Sequence, residues 1–400
     1  MNFWKMHVCV REIIGKNQDR VKETVTRMAD RLAEHNGYVF RSFHALMGWV
    51  RNDFMQMDFL DMRRTIYNET QNGGRTMNYR NLGKWGLKVS EISIGSWMTQ
   101  LTDTNAVDIA RDTIRAAYEE GVNFFDCADA YSGGEAEKFL GGVLQDYARS
   151  SFVVSSKVYF PTGDGPNDRG LSRKHIFENA ERSLRNMKMD YLDMYFCHRY
   201  DPETPVEETL QALSDLVVEG KILYYGVSEW SPVQVTKALG VIKEMGLRPL
   251  SVIQPQYHMM DRYIEDEMIG ICEENGVGIV PFSPLAQGLL SGKYGKGKGI
   301  PEGSRATHQT SKQINALLTD ENLEKVEHLS DVAKACDATL AQLAVAWILR
   351  QKQISSVITG ASNAEQLRSN VKASNIVITE DQFSKIDEIL GYQPFFRKIG

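Results

Sequence analysis

Four polar side chains stand at or near the ends of short apolar runs: Asp126 after NFF, Lys157 after FVVSS, His198 after YLDMYFC, and Tyr131 five residues beyond Asp126. A Lys and an Asp on neighbouring strands of an apolar sheet need each other to avoid unpaired buried charge. A phenol beside that pair feels the ammonium, which stabilises tyrosinate and is expected to lower the Tyr131 pKa from about 10 towards the working range. Such a phenol can donate a proton to a developing alkoxide, while a neutral His198 hydrogen-bonds the same oxygen. The chemistry implied is carbonyl reduction or its reverse. Taken singly, each residue has a blander reading: packing for Tyr131, solvated surface for Lys157, a satisfied core histidine for His198. A barrel enzyme that forms a Schiff base on Lys157, as an aldolase does, is an alternative on the same residues.

The elements that would position these groups are legible from Asn78 onward, where β-branched apolar runs alternate with stretches of helical period. Eight strand candidates cover 90–95, 123–128, 152–158, 191–198, 222–229, 250–257, 277–283 and 355–360. Amphipathic stretches at 106–121, 175–189, 206–220 and 264–276 lie between them, several ending in the Gly that helix C-caps prefer. Successive strand ends are roughly 30 to 40 residues apart, the size of one βα unit. The pattern predicts an α/β fold closed as a (β/α)8 TIM barrel, whose reacting groups gather at the C-terminal strand ends. A doubly wound sheet is disfavoured because Gly95-Ser96-Trp97 offers one glycine where a dinucleotide fingerprint needs three. Residues 78–91 read as an N-terminal β-hairpin turning at Lys84-Trp85-Gly86, able to plug one end of the barrel. After the seventh strand, a long basic, Gly-rich loop (291–313) precedes two expected helices, as a cofactor-covering lid would.

Three segments result: an N-terminal extension (1–76), helical or unordered, the barrel (77–391), and a C-terminal tail (392–400). Residues 12–35 can form one amphipathic helix, but nothing in 1–76 supplies a domain core. Either this is an appended arm, for instance for oligomerisation, or Met77 is the natural start. On the second reading, Gly73–Thr76 are encoded by a purine-rich stretch resembling a bacterial ribosome-binding site.

Lys plus Arg 46 against Asp plus Glu 52, a net charge of −6, removes the footprint of a nucleic-acid or anionic-membrane binder. Five scattered cysteines without a CxxC pair indicate neither a disulfide framework nor a zinc ribbon, and fit a reducing cytoplasm. Cys127 and Cys197 alternate with Asp126 and His198, so they are expected to face the helices as packing. No run of about 18 apolar residues and no secretory signal is present, so membrane insertion is not expected. His258 and His198 lack carboxylates at metal-ligand spacing, so no metal is expected.

FDCADAY with GGEAEKFLG, SSKV, YLDMYFCHRYDPETPVEETLQAL, GVSEWS, IQPQYHMM, PFSPLAQGLLSGKY and ITGASNAEQLRSN, in this order, resemble the aldo-keto reductase superfamily over about residues 78 to 391. NLGKWGLKVSEISIGSW, GLSRKHI and GASNAEQL resemble in particular the branch holding voltage-gated potassium channel β subunits and their bacterial reductase relatives. The resemblance implies a (β/α)8 barrel that binds NADP(H) in extended form and reduces small aldehydes or ketones by direct hydride transfer. It puts a catalytic tetrad on Asp126, Tyr131, Lys157 and His198. It places the nicotinamide amide at Ser228 and Gln254 and its ring on Phe282, bordered by Ser96, Trp97, Gln100 and Asp126. The pyrophosphate falls to Ser283, Leu285, Gln287, Gly288 and Lys293, and the adenosine side to Arg305, Gly360, Ser362, Gln366 and Asn370. Arg305 and Ser362 suit a ribose 2′-phosphate, which favours NADP over NAD. Glu229 stands where other members often carry Asn or Arg, and Gly303 where close relatives carry an aromatic.

A small carbonyl substrate would sit among Trp97, Tyr131, Tyr159, Phe160 and Trp230, with Arg199 and Tyr200 adding polarity towards a phosphorylated or hydroxylated aldehyde. Vertebrate channel subunits carry Asn where this chain keeps His198, so the resemblance implies a working enzyme. The alternative is a cofactor-binding regulatory subunit of a potassium channel with little turnover. Assembly into a homo-oligomer is open on either reading.

Overall fold

The structure, a computed structural model, describes residues 77–97, 104–297, 299–302, 304–307 and 312–392. The expected N-terminal extension, Gln100, Gly303 and the tail beyond Tyr392 lie outside the described residues. The chain enters through an antiparallel hairpin, β1 (Tyr79–Asn81) and β2 (Lys88–Ser90), closed by the Leu82 N–H donating to the Leu87 carbonyl at 2.8 Å.

Eight parallel strands follow: β3 (Ile92–Gly95), β4 (Phe124–Asp126), β5 (Val153–Val158), β6 (Leu192–Cys197), β7 (Ile222–Ser228), β8 (Val252–Gln254), β9 (Gly278–Ile279) and β10 (Val357–Thr359). Their order is β10-β3-β4-β5-β6-β7-β8-β9. The ends meet, because the Ser355 N–H donates to the Ile279 carbonyl at 2.8 Å and the Ile358 N–H to the Pro281 carbonyl at 2.9 Å. The sheet is therefore a closed (β/α)8 barrel, and every strand candidate read from the sequence is a strand of it.

The helices are α1 (Thr104–Glu119), α2 (Glu135–Leu144), α3 (Arg173–Met187), α4 (Val206–Val218), α5 (Pro232–Met245), α6 (Met268–Asn275), α7 (Lys312–Leu317), α8 (Asp320–Ala335), α9 (Leu340–Leu349), α10 (Ala364–Val371) and α11 (Glu380–Leu390). Two details differ from expectation. The 264–276 stretch becomes α-helical only at Met268, because Glu265 is drawn inward to Arg262 (2.8 Å) and Arg350 (2.9 Å) and the chain there makes a separate 3₁₀ turn. Three helices rather than two follow the long loop, the short α7 being the addition. Among the described residues no single helix is long and apolar enough to cross a membrane. The apolar α9 is buried at every position but Ala341, which is why it needs no polar face.

Strand alternation sorts the core into two sets. Phe124, Val153, Met194, Phe196, Val252, Val280 and Ile358 fill the barrel interior together with Leu82 and Val89 of the hairpin. The intervening residues, including Phe125, Cys127, Val154, Tyr195, Cys197 and Val227, pack outward beneath the helices. Cys127 and Cys197 thus lie where the alternation put them. Gly226 makes the interior possible: a Cβ there would stand 2.6 Å from the Phe196 ring.

The hairpin closes the end where the strands begin. Gly83 adopts φ +56, and a Cβ on it would lie 2.5 Å from both the Gly276 carbonyl oxygen and the Gly278 nitrogen. Only glycine allows the turn to press this closely on the start of β9. The opposite, C-terminal end of the barrel is left for the polar side chains.

Candidate active site

The same alternation that fills the interior carries polar groups from β4 to β8 to its rim. Asp126 is two residues past Phe124, Lys157 four past Val153, His198 two past Phe196, Ser228 two past Gly226, and Gln254 two past Val252. Parallel register then sets neighbours side by side: Gly95 opposite Asp126, Asp126 opposite Ser155, Ser228 opposite Gln254.

Lys157 is fully buried, and its Nζ donates to Asp126 Oδ2 at 2.6 Å and to the Cys127 carbonyl at 2.6 Å. Tyr131 Oη lies 3.5 Å from the same Nζ. Burial works against the Lys157 charge, but the Asp126 carboxylate and the Tyr131 phenol more than offset it and hold the ammonium above its ordinary range. Asp126 is fixed in turn, its Oδ1 accepting from Ser155 Oγ (2.7 Å) and from Gln254 Nε2 (3.0 Å), and its carbonyl from the Ser96 N–H (2.8 Å) and hydroxyl (2.9 Å). Ser155 went unnoticed in the sequence, although its parity with Lys157 in VVSSKV signals an inward side chain.

Tyr131 is placed by a tight loop rather than a strand. Its N–H donates to the Ala128 carbonyl (3.1 Å), the Asp129 N–H to the Lys157 carbonyl (3.3 Å), and Ser132, Gly133 and Gly134 all take positive φ before α2 begins. The expected lowering of its pKa does not occur. Burial raises the phenol above its ordinary value, and the opposing pull of Lys157 is the smaller effect. Behind this loop the buried Asp129 carboxyl is pushed up to about 8, first by burial and then by Glu137, which makes it a protonated acid at neutral pH.

His198 sits across the rim, its ring edge-on to Tyr131 (centroids 5.8 Å apart) and to Phe160 (4.9 Å). Burial, then Lys157 and Arg199, depress it to about 2, so the imidazole is neutral. Its buried Nδ1 has no hydrogen-bond partner among the described residues. Tyr159 extends this wall, edge-on to Phe160 at 5.3 Å, while Tyr200 and Trp230 form a second pair at 4.9 Å. Asp201 ties the loop after β6 to the start of α3, accepting from the Leu171 N–H (2.7 Å), the Glu203 N–H (2.9 Å) and the Thr204 hydroxyl (2.7 Å).

The remaining expected residues form groups around the same rim. Ser228 Oγ donates to the Gln254 carbonyl (2.8 Å), and Phe282 packs on the interior cluster. Glu229, at φ +56, has its carboxylate taken by the Gln256 N–H at 2.6 Å. Ser283, Ala286, Gln287 and Gly288 all adopt positive φ, a backbone form that turns successive N–H groups towards an anion. Gln287 Nε2 donates to Ser283 Oγ (2.8 Å), and Arg305 Nη1 donates to the Gln287 side-chain oxygen Oε1. A Cβ on Gly288 would lie 3.5 Å from Lys293 Nζ. Trp97 does not join the substrate wall by a ring contact; its exposed ring lies beneath Arg305, 5.0 Å from the guanidinium carbon. Leu285 is half-buried beside this loop. At the end of β10, Asn370 Nδ2 donates to the Gly360 carbonyl (3.2 Å), and the Ser362 N–H to Gln366 (2.9 Å). Arg305 and Ser304 thus sit over the loop of positive φ, with Ser304 Oγ buried and unpartnered among the described residues.

A model of the aldo/keto reductase family matches residues 91–391. A "Probable voltage-gated potassium channel subunit beta" of Arabidopsis thaliana is 41% identical over 326 residues, spanning 80% of this chain and 98% of the relative. A protein of the same name from Oryza sativa subsp. japonica matches with the same identity and coverage.

Proposed function

Because the chain belongs to the aldo/keto reductase family, we propose that it is an NADP(H)-dependent oxidoreductase that reduces small aldehydes or ketones to alcohols, with Tyr131 as the proton donor. The observation that carries this reading is the buried Lys157–Asp126 pair set 3.5 Å from the Tyr131 hydroxyl, with a neutral imidazole on the other side of the phenol.

The residues present fit a phosphorylated dinucleotide. The loop of positive φ at Ala286–Gly288, the nearby Lys293 and Arg305, and the unpartnered Ser304 hydroxyl suit phosphate oxygens. Ser228 and Gln254 would hold the nicotinamide amide, Phe282 its ring, and Arg305 with Ser362 a 2′-phosphate. When bound, the reduced nicotinamide supplies hydride to the carbonyl carbon.

The chain's own residues handle the proton. With its pKa raised, Tyr131 stays protonated at neutral pH and gives its Oη proton to the carbonyl oxygen as negative charge develops there. Lys157 stabilises the phenolate that remains, Asp126 holds Lys157, and His198 hydrogen-bonds the same oxygen without competing for the proton. The rings of Tyr131, Phe160, Tyr159 and His198 exclude water. Action in the cytoplasm, and assembly with further copies of the chain, belong to the same reading.

The names of the plant relatives favour a second reading, a regulatory β subunit of a potassium channel that keeps the cofactor and turns over little. NADPH consumption against a panel of small aldehydes, with Tyr131→Phe as control, separates the two. The reductase reading expects turnover that the substitution abolishes. Tight cofactor binding with no turnover of any aldehyde favours the channel subunit.

A further inference from the structure

Arg199 follows His198 directly and takes no part in the proton transfer described above; from the sequence it was expected only to add polarity towards the substrate. Its Nη1 donates to the His198 carbonyl at 2.5 Å, and its guanidinium carbon lies 5.7 Å from the centroid of the Phe160 ring, which itself meets the His198 ring edge-on. The cation therefore stands on the aromatic wall of the pocket, one ring away from the imidazole. Its field reaches that imidazole and helps keep it neutral. The side chain is half-buried, and among the described residues no carboxylate lies within ion-pair distance of it. Asp201, two residues on, and Glu229 at the end of the next strand are committed elsewhere. Asp201 is saturated by Leu171, Glu203 and Thr204, and Glu229 accepts from the Gln256 N–H and the Tyr263 hydroxyl.

A partly desolvated guanidinium on an apolar wall is stabilised by an oxyanion that approaches from the pocket, to which its planar fork can present two donors. We infer that Arg199 selects carbonyl substrates bearing an anionic oxyacid group, such as a carboxylate, phosphate or sulfonate, on the part of the molecule away from the reacting carbon. The inference rests on the reductase reading and names its substrate class. Arg199 is a specificity residue here, since proton and hydride transfer proceed without it.

The test uses a matched pair that differs in charge and little in shape: 4-formylbenzoate and methyl 4-formylbenzoate, each reduced with NADPH by the parent protein, Arg199→Met and Arg199→Lys. The parent is expected to prefer the carboxylate, and Arg199→Met to lose roughly tenfold to a hundredfold in kcat/KM on it, mainly in KM, with the ester changed less than about threefold. Arg199→Lys restores part of the preference, and salt weakens it. In a second arm free of turnover, calorimetry measures 4-(hydroxymethyl)benzoate binding to the cofactor-loaded proteins, where Arg199→Met is expected to show the same loss. Equal effects on both aldehydes, or no charge preference in the parent, overturn the inference. Absence of turnover with anion binding that still depends on Arg199 overturns the reductase reading and supports the anion site. Absence of both overturns the anion site.

Discussion

Lys157 Nζ lies 2.6 Å from Asp126 Oδ2, with Lys157 fully buried and Asp126 nearly so. Neither charge is tolerable there without the other. Asp126→Asn leaves the ammonium uncompensated and is expected to destabilise the fold by roughly 3–5 kcal/mol, read as a lower urea midpoint at unchanged slope. A midpoint within experimental error of the parent's means that the pair does not hold the rim together.

Tyr131→Phe keeps the ring that packs against His198 and removes only the hydroxyl. Turnover of any aldehyde is expected to fall by about two to four orders of magnitude, while NADPH affinity by fluorescence titration stays within about threefold. Near-parental turnover in this variant removes Tyr131 from the proton-donor role.

With His198 held near 2 and Tyr131 raised above the usual phenol range, neither group changes protonation between pH 5 and 9. The rate of carbonyl reduction is expected to show no inflection near pH 6.5 and to fall only on an alkaline limb beyond the ordinary phenol range, since burial raises the proton donor. An inflection near pH 6.5 that disappears in His198→Gln contradicts the neutral imidazole.

Asp129 gives stability its own pH dependence. Its folded pKa of about 8 lies above the unfolded value of roughly 3.9, so between these limits the folded state binds the extra proton. Stability contributed by this group therefore falls as pH rises from about 4 to 8 and levels off above. Asp129→Asn, which mimics the protonated acid, is expected to gain stability on the parent across that window, by up to on the order of 5 kcal/mol. Thermal unfolding of both proteins at pH 4.5 and 8.5 checks it, and a pH-independent difference counts against the buried proton.

Arg305 bridges Gln287 and the Trp97 ring. Arg305→Met is expected to reduce NADPH affinity by about tenfold or more and NADH affinity far less, because only NADPH brings a 2′-phosphate. Trp97 emission provides the readout, since the guanidinium lies against that indole. Equal losses for the two cofactors argue for a general closing contact instead.

The barrel was legible because its cause is local. Period-two alternation, βα spacing and the glycine-ended helices are properties of short segments, and they place Asp126, Lys157 and His198 on one rim before any coordinate is known, whereas Ser228 and Gln254 were expected there only from the family resemblance. The packing of Cys127 and Cys197 beneath the helices follows from the same alternation. What tertiary structure decided was the balance of opposing effects between segments distant in sequence. Charge pairing could be foreseen for Lys157 and Asp126, but whether Lys157 or burial governs Tyr131 depends on how completely the 127–134 loop shuts out water, and burial wins. Ser155 beneath Asp126, Arg305 over Trp97 and Arg199 on Phe160 are likewise contacts between separate strand ends and loops. A periodic pattern names the face a side chain occupies, whereas its distance to a partner is set only when the sheet closes into a ring.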